Sequence, residues 1–331
     1  MKCKKIIVVL ITSFICLNLT AIGSEASPFD YNDIATQNDY YEVNFNVNEI
    51  SYSYSLTTPT TAATVVQLWS KSEVITIPSS VEYGGKIYTV KYLNFYPWIN
   101  GVPMCLDTCK ELNIPDSMIC WSDGLGGEDD SLFKWKNLRA VNISENSDLV
   151  EISSGFADCK YLKSFTIPKN LKILDGLTNC PKLKIQNIKI CDGNKYFKKK
   201  GNFLLSSKGK TLNNYFGNGK SVKVPNGIKK IKNQVFKNNT SIRKITLPKG
   251  LKTVSYWTFR DCKNLSQVTI KNTKKSPKFY TECFKNTKKG LKFVVKNKKV
   301  AKSLKKQLKD SGVRNAKILI GDTVVYENIK G

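Results

Sequence analysis

Residues 222–270 read VKVPNGIKKIKNQVFKNNTSIRKITLPKGLKTVSYWTFRDCKNLSQVTI, and this stretch contains one unit written twice. Val224-Pro225 recurs 23 residues later as Leu247-Pro248, and Phe236 recurs as Phe259. A period of this length is typical of a solenoid, in which each coil buries its apolar side against the neighbouring coils. The stretch therefore predicts a mostly β repeat solenoid built from short parallel strands.

Three features of this unit recur along residues 74–290. An aliphatic residue followed by proline ends a strand, because proline cannot donate to the ladder. A large aromatic residue anchors a turn, and a Leu-x-x-φ-x-φ strand follows it, where φ is apolar. The aliphatic-proline pairs are Ile77-Pro78, Ile114-Pro115, Ile167-Pro168, Val224-Pro225 and Leu247-Pro248, and the anchors are Phe133, Phe156, Phe236, Phe259 and Phe284.

The residue between the last two apolar positions of each Leu-x-x-φ-x-φ strand points outward, because side chains alternate along a strand. Stacked coils are therefore expected to present a small polar ladder with basic flanks. Its predicted members are Asn142, Thr166, Thr246 and Thr269, flanked by Arg139, Lys163, Arg243 and Lys244. The ladder is a candidate ligand-binding surface, and the alternative is a merely solvated strand face.

Both ends of the array are expected to be closed by caps, since a solenoid has to cover its terminal coils. Residues 27–73 predict a β-rich N-terminal cap from alternating segments at 41–47, 51–55 and 63–68. Residues 291–331 predict a small α/β cap with a final strand at 316–320. Its helix is marked by Val300, Ala301, Leu304 and Leu308 at helical spacing, with Gly312 expected to cap its end.

Residues 191–217 interrupt the period. Phe203-Leu204-Leu205, a Ser207-Lys208-Gly209-Lys210 turn and Thr211-Leu212 indicate a β-hairpin that projects from the solenoid.

Residues 1–26 have the pattern of a secretory signal peptide. Lys2, Lys4 and Lys5 precede an apolar stretch at residues 6–22, and Ser24-Glu25-Ala26 offers a cleavage site. No second apolar segment of membrane length follows, so no transmembrane span is expected. The segment predicts a secreted, extracellular protein, with association to the cell surface as an open possibility.

The net charge of +27 is unevenly divided. Residues 1–160 hold 11 Lys and Arg against 19 Asp and Glu, which gives −8; residues 161–331 hold 42 against 7, which gives +35. This asymmetry suggests a polyanionic partner, such as an anionic cell-wall polymer, and the alternative is a solvated lysine-rich surface. Because only four of the basic residues are arginine, sequence-specific nucleic-acid binding is not expected.

The chain contains no histidine. Its absence excludes Ser-His-Asp and Cys-His nucleophiles and the HExxH zinc site. The sequence therefore predicts a non-enzymatic protein without a cofactor, and a carboxylate-based glycosidase or peptidase remains the enzymatic alternative. The acidic residues Asp123, Glu128, Asp129 and Asp130 suggest a solvated loop, with calcium binding as the alternative.

Cysteine and tryptophan raise two further expectations. Cys159, Cys180 and Cys262 share one repeat slot, and this slot predicts buried free thiols. A disulfide is an open alternative among Cys105, Cys109 and Cys120. Trp69, Trp98, Trp121, Trp135 and Trp257 would form a carbohydrate platform if several were exposed. Trp121 and Trp135 are expected in the core, and Trp257 is the aromatic residue most expected to be exposed.

The repeats resemble the BspA-type leucine-rich repeat family of bacterial and protist surface proteins. The family unit LxxIxIPxxLxxIxxxxFxxC is similar to residues 162–174 and 242–262, and its insert YxxxxGxLLSxxGKTL is similar to residues 196–212. The segment IPSSVEYGGKIYTV at residues 77–90 also resembles the start of such arrays. The resemblance implies a leucine-rich-repeat fold and a secreted or surface-attached protein that binds an extracellular protein or glycan, often in adhesion.

Overall fold

The structure is a computed structural model that describes residues 40–47, 50–57, 61–94, 107–122, 135–153 and 155–331. The repeats form a β-solenoid whose successive coils pair through short parallel strands, as the sequence predicts. Each coil contributes one strand to a front sheet and one to a back sheet, and the two sheets enclose the apolar side chains. Among the described residues, no helix is long and apolar enough to cross a membrane.

The N-terminal half begins with three antiparallel strands and continues into parallel coils. β1 (Tyr40–Val47), β2 (Ile50–Thr57) and β3 (Ala62–Trp69) lie where the alternating pattern predicted them. The back sheet continues from β3 through β6 (Lys86–Asn94), β8 (Cys120–Ser122), β10 (Glu151–Ile152) and β12 (Ile173–Leu174), with β5 (Ser80–Tyr83) paired to β6. The front strands are β4 (Val74–Thr76), β7 (Glu111–Asn113) and β9 (Ala140–Asn142), and then the separate pair β11 (Phe165–Ile167) and β13 (Ile188–Ile190).

The C-terminal half is more regular. Its front sheet contains β17 (Ser221–Lys223), β19 (Lys244–Leu247), β21 (Gln267–Ile270), β23 (Lys292–Val295), β24 (Ala316–Ile320) and β25 (Thr323–Ile329). Its back sheet contains β14 (Phe197–Lys200), β15 (Phe203–Ser206), β16 (Thr211–Tyr215), β18 (Lys230–Ile231), β20 (Thr253–Val254) and β22 (Lys278–Phe279). β24 occupies the predicted residues, whereas β25 was not predicted.

Phenylalanine anchors form a stack along the interior of the C-terminal half. Phe236, Phe259 and Phe284 are each at most 1% exposed. The rings of Phe236 and Phe259 lie 5.2 Å apart and within 6° of parallel, and Phe259 and Phe284 repeat the same geometry. The rings keep one spacing although the first step spans 23 residues and the second spans 25, so successive coils stack alike and the predicted core is confirmed here. Phe133 lies outside the described residues.

The insert at residues 191–217 contains the predicted β-hairpin, since β15 pairs antiparallel with β16, but the hairpin does not project from the solenoid as predicted. β14, β15 and β16 form an antiparallel meander, and β16 then pairs in parallel with β18 of the following coil. Leu204 packs in the N-terminal apolar cluster, whereas Phe203 and Leu205 pack in the C-terminal cluster. Because side chains alternate along a strand, β15 is buried on both faces and forms a partition between the two halves.

Helix α1 (Lys298–Gln307) buries Val300, Ala301 and Leu304, as the helical spacing predicted. Asn297 caps its first turn by accepting a hydrogen bond from the Val300 N–H. Gly312 is not its cap, since the helix ends at Leu308 in a right-handed conformation. Gly312 instead has a φ of +80° where the chain passes the Lys285 backbone. The role of the two end regions as caps remains a prediction.

Candidate ligand-binding strand face

The front of the solenoid places one outward residue of each coil just before the last apolar residue of the strand, which proline follows in five coils. Pairing of β19 with β21 puts Thr246 directly opposite Thr269, and Lys244 opposite Gln267. Ile245 and Leu247 point into the core and are at most 1% exposed. The buried side chains therefore fix the direction of the outward ones, and we refer to these outward residues as the strand face.

In the N-terminal half, polar side chains on the strand face are hydrogen-bonded to one another. Asn113 Nδ2 donates to Thr76 Oγ1 over 2.9 Å, and Asn142 Nδ2 lies 2.7 Å from Asn113 Oδ1. Asn142 Nδ2 is also 2.7 Å from Glu111 Oε1. This part of the face is a connected network of amide, hydroxyl and carboxylate groups.

In the C-terminal half, the strand face is rich in lysine. One row runs Lys223, Thr246, Thr269 and Val294 across β17, β19, β21 and β23. The parallel row two residues earlier includes Lys244, Gln267 and Lys292, and continues to Lys317 on β24. Adjacent strands lie about 4.8 Å apart, so the charges follow one another along the solenoid axis.

Carboxylates are scarce around these lysines. The strands SVK, KITL, QVTI and KFVV of this sheet contain no acidic residue. Within the described part of the chain, the ion pairs do not include Lys223, Lys244 or Lys292, whereas Lys317 pairs with Glu327 at 3.7 Å. The C-terminal strand face therefore presents positive charge that no carboxylate of the described residues pairs with.

The structure divides the predicted ladder among three sheets. Thr246 and Thr269 are direct neighbours, but Asn142 lies on β9, and Thr166 on β11 pairs with Lys189. The side chains of Asn142, Arg139, Lys163, Arg243 and Lys244 are exposed, and those of the three threonines are half-buried. The Lys163 N–H donates to the Arg139 carbonyl over 3.3 Å, so these flanks belong to neighbouring coils.

Several members of the strand face were missed by sequence reasoning. Four of them lie just before an aliphatic-proline pair or in register with such a position, which was the available signal, and the other two, Gln267 and Lys292, lie in the row two residues earlier. The missed members are Thr76, Asn113, Lys189, Lys223, Gln267 and Lys292.

The cysteines of the described residues are buried. Cys159, Cys180 and Cys262 are free thiols, as predicted, and the thiols of Cys180 and Cys262 donate to the carbonyls of Phe156 and Phe236 at 3.1 and 2.9 Å. Burial raises the pKa of Cys262 to about 12 and that of Cys109 to about 11. Because the thiolate is the nucleophile, these side chains are chemically inert.

Cys109 is a free thiol and so does not form the disulfide that was considered for it. Cys105 and the acidic residues Asp123, Glu128, Asp129 and Asp130 lie outside the described residues. Within the described ranges, no group of three or more Cys, Asp or Glu side chains has the arrangement of a metal site.

The tryptophans follow the prediction in part. Trp121 and Trp135 are 1% exposed and pack against each other with ring centroids 6.4 Å apart. Trp257 is half-buried, and Tyr161 is more exposed at 46%. Trp98 lies outside the described residues.

A solenoid of short parallel strands with an outward polar row on one face defines a leucine-rich-repeat protein. The model of the BspA type leucine rich repeat region matches six copies in this chain, at residues 128–213 and 210–319. The match covers more than half of the sequence, and the chain belongs to this family. The resemblance seen in the sequence is therefore confirmed.

Solved structures similar to this chain are leucine-rich-repeat proteins. The pneumococcal vaccine antigen PcpA is 18% identical, with 85% of this chain and 99% of that chain covered and a TM-score of 0.44. A leucine-rich repeat protein from Eubacterium ventriosum is 14% identical, with 78% and 80% covered and a TM-score of 0.41. The T. pallidum leucine-rich repeat protein is 16% identical, with 79% and 93% covered and a TM-score of 0.36. A comparison with curated proteins found no match.

Proposed function

We propose that this protein is secreted, has no enzymatic activity, and binds an extracellular protein or glycan on its strand face. The observation that carries the proposal is the outward row around Thr246 and Thr269, held by buried neighbours on rigid parallel strands. Sites built on rigid strands keep their geometry without a cost of ordering on binding. Family membership and the apolar segment at residues 6–22 support a place outside the cell, either free or at the cell surface.

Three observations support binding rather than catalysis. The sequence has no histidine to serve as a general base. Burial raises the pKa of Cys262 and Cys109, so these thiols are poor nucleophiles. The carboxylates of residues 161–331 number seven, and none lies on strands β17, β19, β21 or β23.

An array of extracellular matrix proteins and glycans tests the proposal. We expect the purified protein to bind one class of these probes, and the triple variant Asn142→Ala/Thr246→Ala/Thr269→Ala to bind it at least about tenfold more weakly. Half-buried threonines on the back sheet, Thr211 and Thr253, provide the control variant Thr211→Ala/Thr253→Ala, which should bind normally. Equal binding by the triple variant would contradict a ligand site on the strand face.

A second candidate function is binding of anionic polymers such as teichoic acid, glycosaminoglycan or extracellular nucleic acid by lysine. The observation that favours it is the charge of Lys223, Lys244 and Lys292, for which the described residues supply no carboxylate. Lysine contacts with a polyanion release counterions, so binding of this kind weakens steeply as salt rises.

Two variants of equal net charge distinguish polyanion binding at the strand face from general electrostatic attraction to the basic half. In Lys223→Gln/Lys244→Gln/Lys292→Gln, the slope of log K against log salt should fall by up to about 0.9 for each lysine removed. The control is Lys299→Gln/Lys302→Gln/Lys306→Gln, which removes three exposed charges from α1. Equal weakening in both variants would show attraction to the whole basic half, and a slope near zero in the unaltered protein would remove this candidate.

A further inference from the structure

Three aromatic side chains meet at one corner of the solenoid, where the back sheet turns towards the phenylalanine stack. Tyr256 and Tyr280 have ring centroids 4.8 Å apart, and Tyr256 and Trp257 have centroids 6.4 Å apart. All three side chains are half-buried. We call Tyr256, Trp257 and Tyr280 the aromatic corner.

The repeat itself shows that these aromatic residues are not required by the fold. Ile231 pairs with Val254, and Val254 with Phe279, so the segments IKNQVF (231–236), VSYWTF (254–259) and FYTECF (279–284) are aligned coil by coil. The first and last positions of these segments are apolar in all three coils. At the positions of Tyr256, Trp257 and Tyr280, an adjacent coil has asparagine, glutamine and serine, respectively.

Trp257 also occupies an unfavourable backbone conformation. Its φ is +53°, and the equivalent residues Gln234 and Glu282 have φ values of 60° and 53°. A bulky residue with positive φ is a genuine outlier, and such strain is concentrated at functional sites. Because a flexible polar side chain fills this position in both adjacent coils, the fold does not require a tryptophan there.

The ring of Trp257 is held in place by charged groups. Its Nε1 donates to Glu282 Oε2 over 3.1 Å, and the same oxygen lies 3.5 Å from Arg260 Nη1. The Arg260 guanidinium lies 5.8 Å from the Trp257 ring centroid. An aromatic edge that is fixed before binding loses little conformational entropy when a ligand arrives.

A row of lysines on the back sheet leads to the aromatic corner. Lys230 pairs with Thr253, and Thr253 with Lys278, whose Nζ lies 4.4 Å from the Tyr280 ring centroid. The backbone N–H of Lys252 donates to the carbonyl of Lys229, so lysines on successive coils lie side by side. The site therefore combines an aromatic surface with a line of positive charge that runs along the solenoid axis.

We propose that the aromatic corner and the adjoining lysines bind an acidic polysaccharide. The polarised C–H groups of a sugar ring pack on the negative face of an aromatic ring, and lysine pairs with the carboxylate or sulfate groups of the polymer. The described residues offer no hydrogen-bond partner to the hydroxyls of Tyr256 and Tyr280, which are therefore available to sugar hydroxyls. Their rings are tilted by 55°, whereas successive stacked bases of a nucleic acid are parallel, so the geometry favours the sugar.

This site lies on the back of the solenoid, and it does not depend on ligand binding by the strand face. Its test uses the variant Tyr256→Asn/Trp257→Gln/Tyr280→Ser, which introduces residues that adjacent coils already accommodate. The variant leaves net charge unchanged, so any loss of binding comes from the rings and not from general attraction. The control is Tyr83→Ser/Tyr161→Ser, which removes two exposed tyrosines elsewhere.

The probes are hyaluronan, alginate, chondroitin sulfate and heparin, with neutral dextran and a single-stranded oligothymidine for comparison, all at one physiological salt concentration. We expect the unaltered protein and the control to bind at least one acidic polysaccharide. The variant Tyr256→Asn/Trp257→Gln/Tyr280→Ser should bind it about tenfold more weakly. The single variants Tyr256→Asn and Tyr280→Ser repeat the test if the triple variant does not fold. No binding to the acidic polysaccharides, equal binding by the variant, or tighter ring-dependent binding to the oligothymidine would overturn the proposal. Binding that survives in Lys223→Gln/Lys244→Gln/Lys292→Gln would keep this site distinct from the strand face.

Discussion

The two halves of the solenoid bury similar side chains but present different strand faces. In the N-terminal half, Asn113 and Asn142 are bonded to each other and to Thr76 and Glu111. In the C-terminal half, Lys244 and Lys292 lie beside Thr246 and Thr269. The strands that carry these residues contain no carboxylate. One face satisfies its own polar groups, and the other carries lysine charges that the described residues do not pair.

This difference shows which part of a repeat the fold determines. Inward positions are restricted by the coil on either side, since interiors are close-packed and intolerant of changes in volume. Outward positions meet only solvent and the side chains in register with them. The same coil can therefore hold an amide network or a lysine row, and binding specificity can vary along one unchanged scaffold.

The largest expected effect concerns the interior of the C-terminal half. Phe259→Ala should lower the free energy of unfolding by about 3–5 kcal/mol, because it removes a buried ring and leaves a cavity. The centroid of the Phe259 ring lies 5.2 Å from the ring centroids of Phe236 and Phe284. Chemical denaturation followed by circular dichroism measures the loss.

Phe259→Leu is the matched control, since it keeps most of the buried volume. We expect it to lose less than half as much stability as Phe259→Ala. A cost below about 1 kcal/mol for Phe259→Ala would mean that adjacent coils do not share a continuous interior.

The next effect concerns Gly312, where the chain of the C-terminal half passes the backbone of Lys285. Gly312→Ala should cost about 2 kcal/mol, because a residue with a side chain is strained at a φ of +80°. Its Cβ would also lie 2.8 Å from the backbone nitrogen of Lys285. The shift in the midpoint of thermal unfolding measures this cost.

Gly321→Ala distinguishes the stability cost of backbone strain from that of a steric clash with the added Cβ. Gly321 has a φ of +60°, but an added Cβ would meet nothing within 4 Å. We therefore expect a smaller loss than for Gly312→Ala. Equal losses in the two variants would assign the whole effect to backbone strain.

The interior was predictable from the sequence because its signals repeat. Phe236 and Phe259 recur at one spacing, and a period of 23 residues leaves few other folds available. The insert was misjudged for a related reason. β15 appears only once, so no second copy indicated that Leu204 and Leu205 face different apolar clusters.

The strand face was only partly predictable. Thr246 and Thr269 were found because their strands carry a full Leu-x-x-φ-x-φ pattern. Asn113 was missed because Cys109 stands where the Leu-x-x-φ-x-φ pattern has leucine, ahead of Leu112 and Ile114. The aromatic corner depends on contacts between coils, such as that of Tyr256 with Tyr280, which a linear sequence does not display.

A smaller effect compares the two strand faces directly. Asn113→Ala should cost about 1 kcal/mol, because it removes the hydrogen bonds with Thr76 and Asn142. Lys244→Ala should change stability by less than about 0.5 kcal/mol, as is usual for an exposed residue. Urea denaturation of both variants measures the difference, and equal costs would mean that the amide network does not stabilise the N-terminal face.

The smallest expected effect concerns Glu282, one of the few acidic residues of the basic C-terminal half. The neighbouring Lys285 ammonium, with the Trp257 indole and Arg260, lowers the pKa of Glu282 below its usual range. Between the folded and unfolded pKa values, the unfolded state binds more protons, so stability rises with pH. The contribution of Glu282 is complete above about pH 4.5 and is lost as pH falls through the folded pKa.

Glu282→Gln removes this titration while keeping the shape of the side chain. We expect its unfolding free energy to fall less steeply below pH 4.5 than that of the unaltered protein, as measured by urea denaturation at a series of pH values. The control is Glu327→Gln, since the Glu327 carboxylate is 59% exposed and lies 3.7 Å from Lys317. If Glu282→Gln keeps the acid dependence of the unaltered protein, Lys285 and its neighbours do not lower the pKa of Glu282 in the folded state.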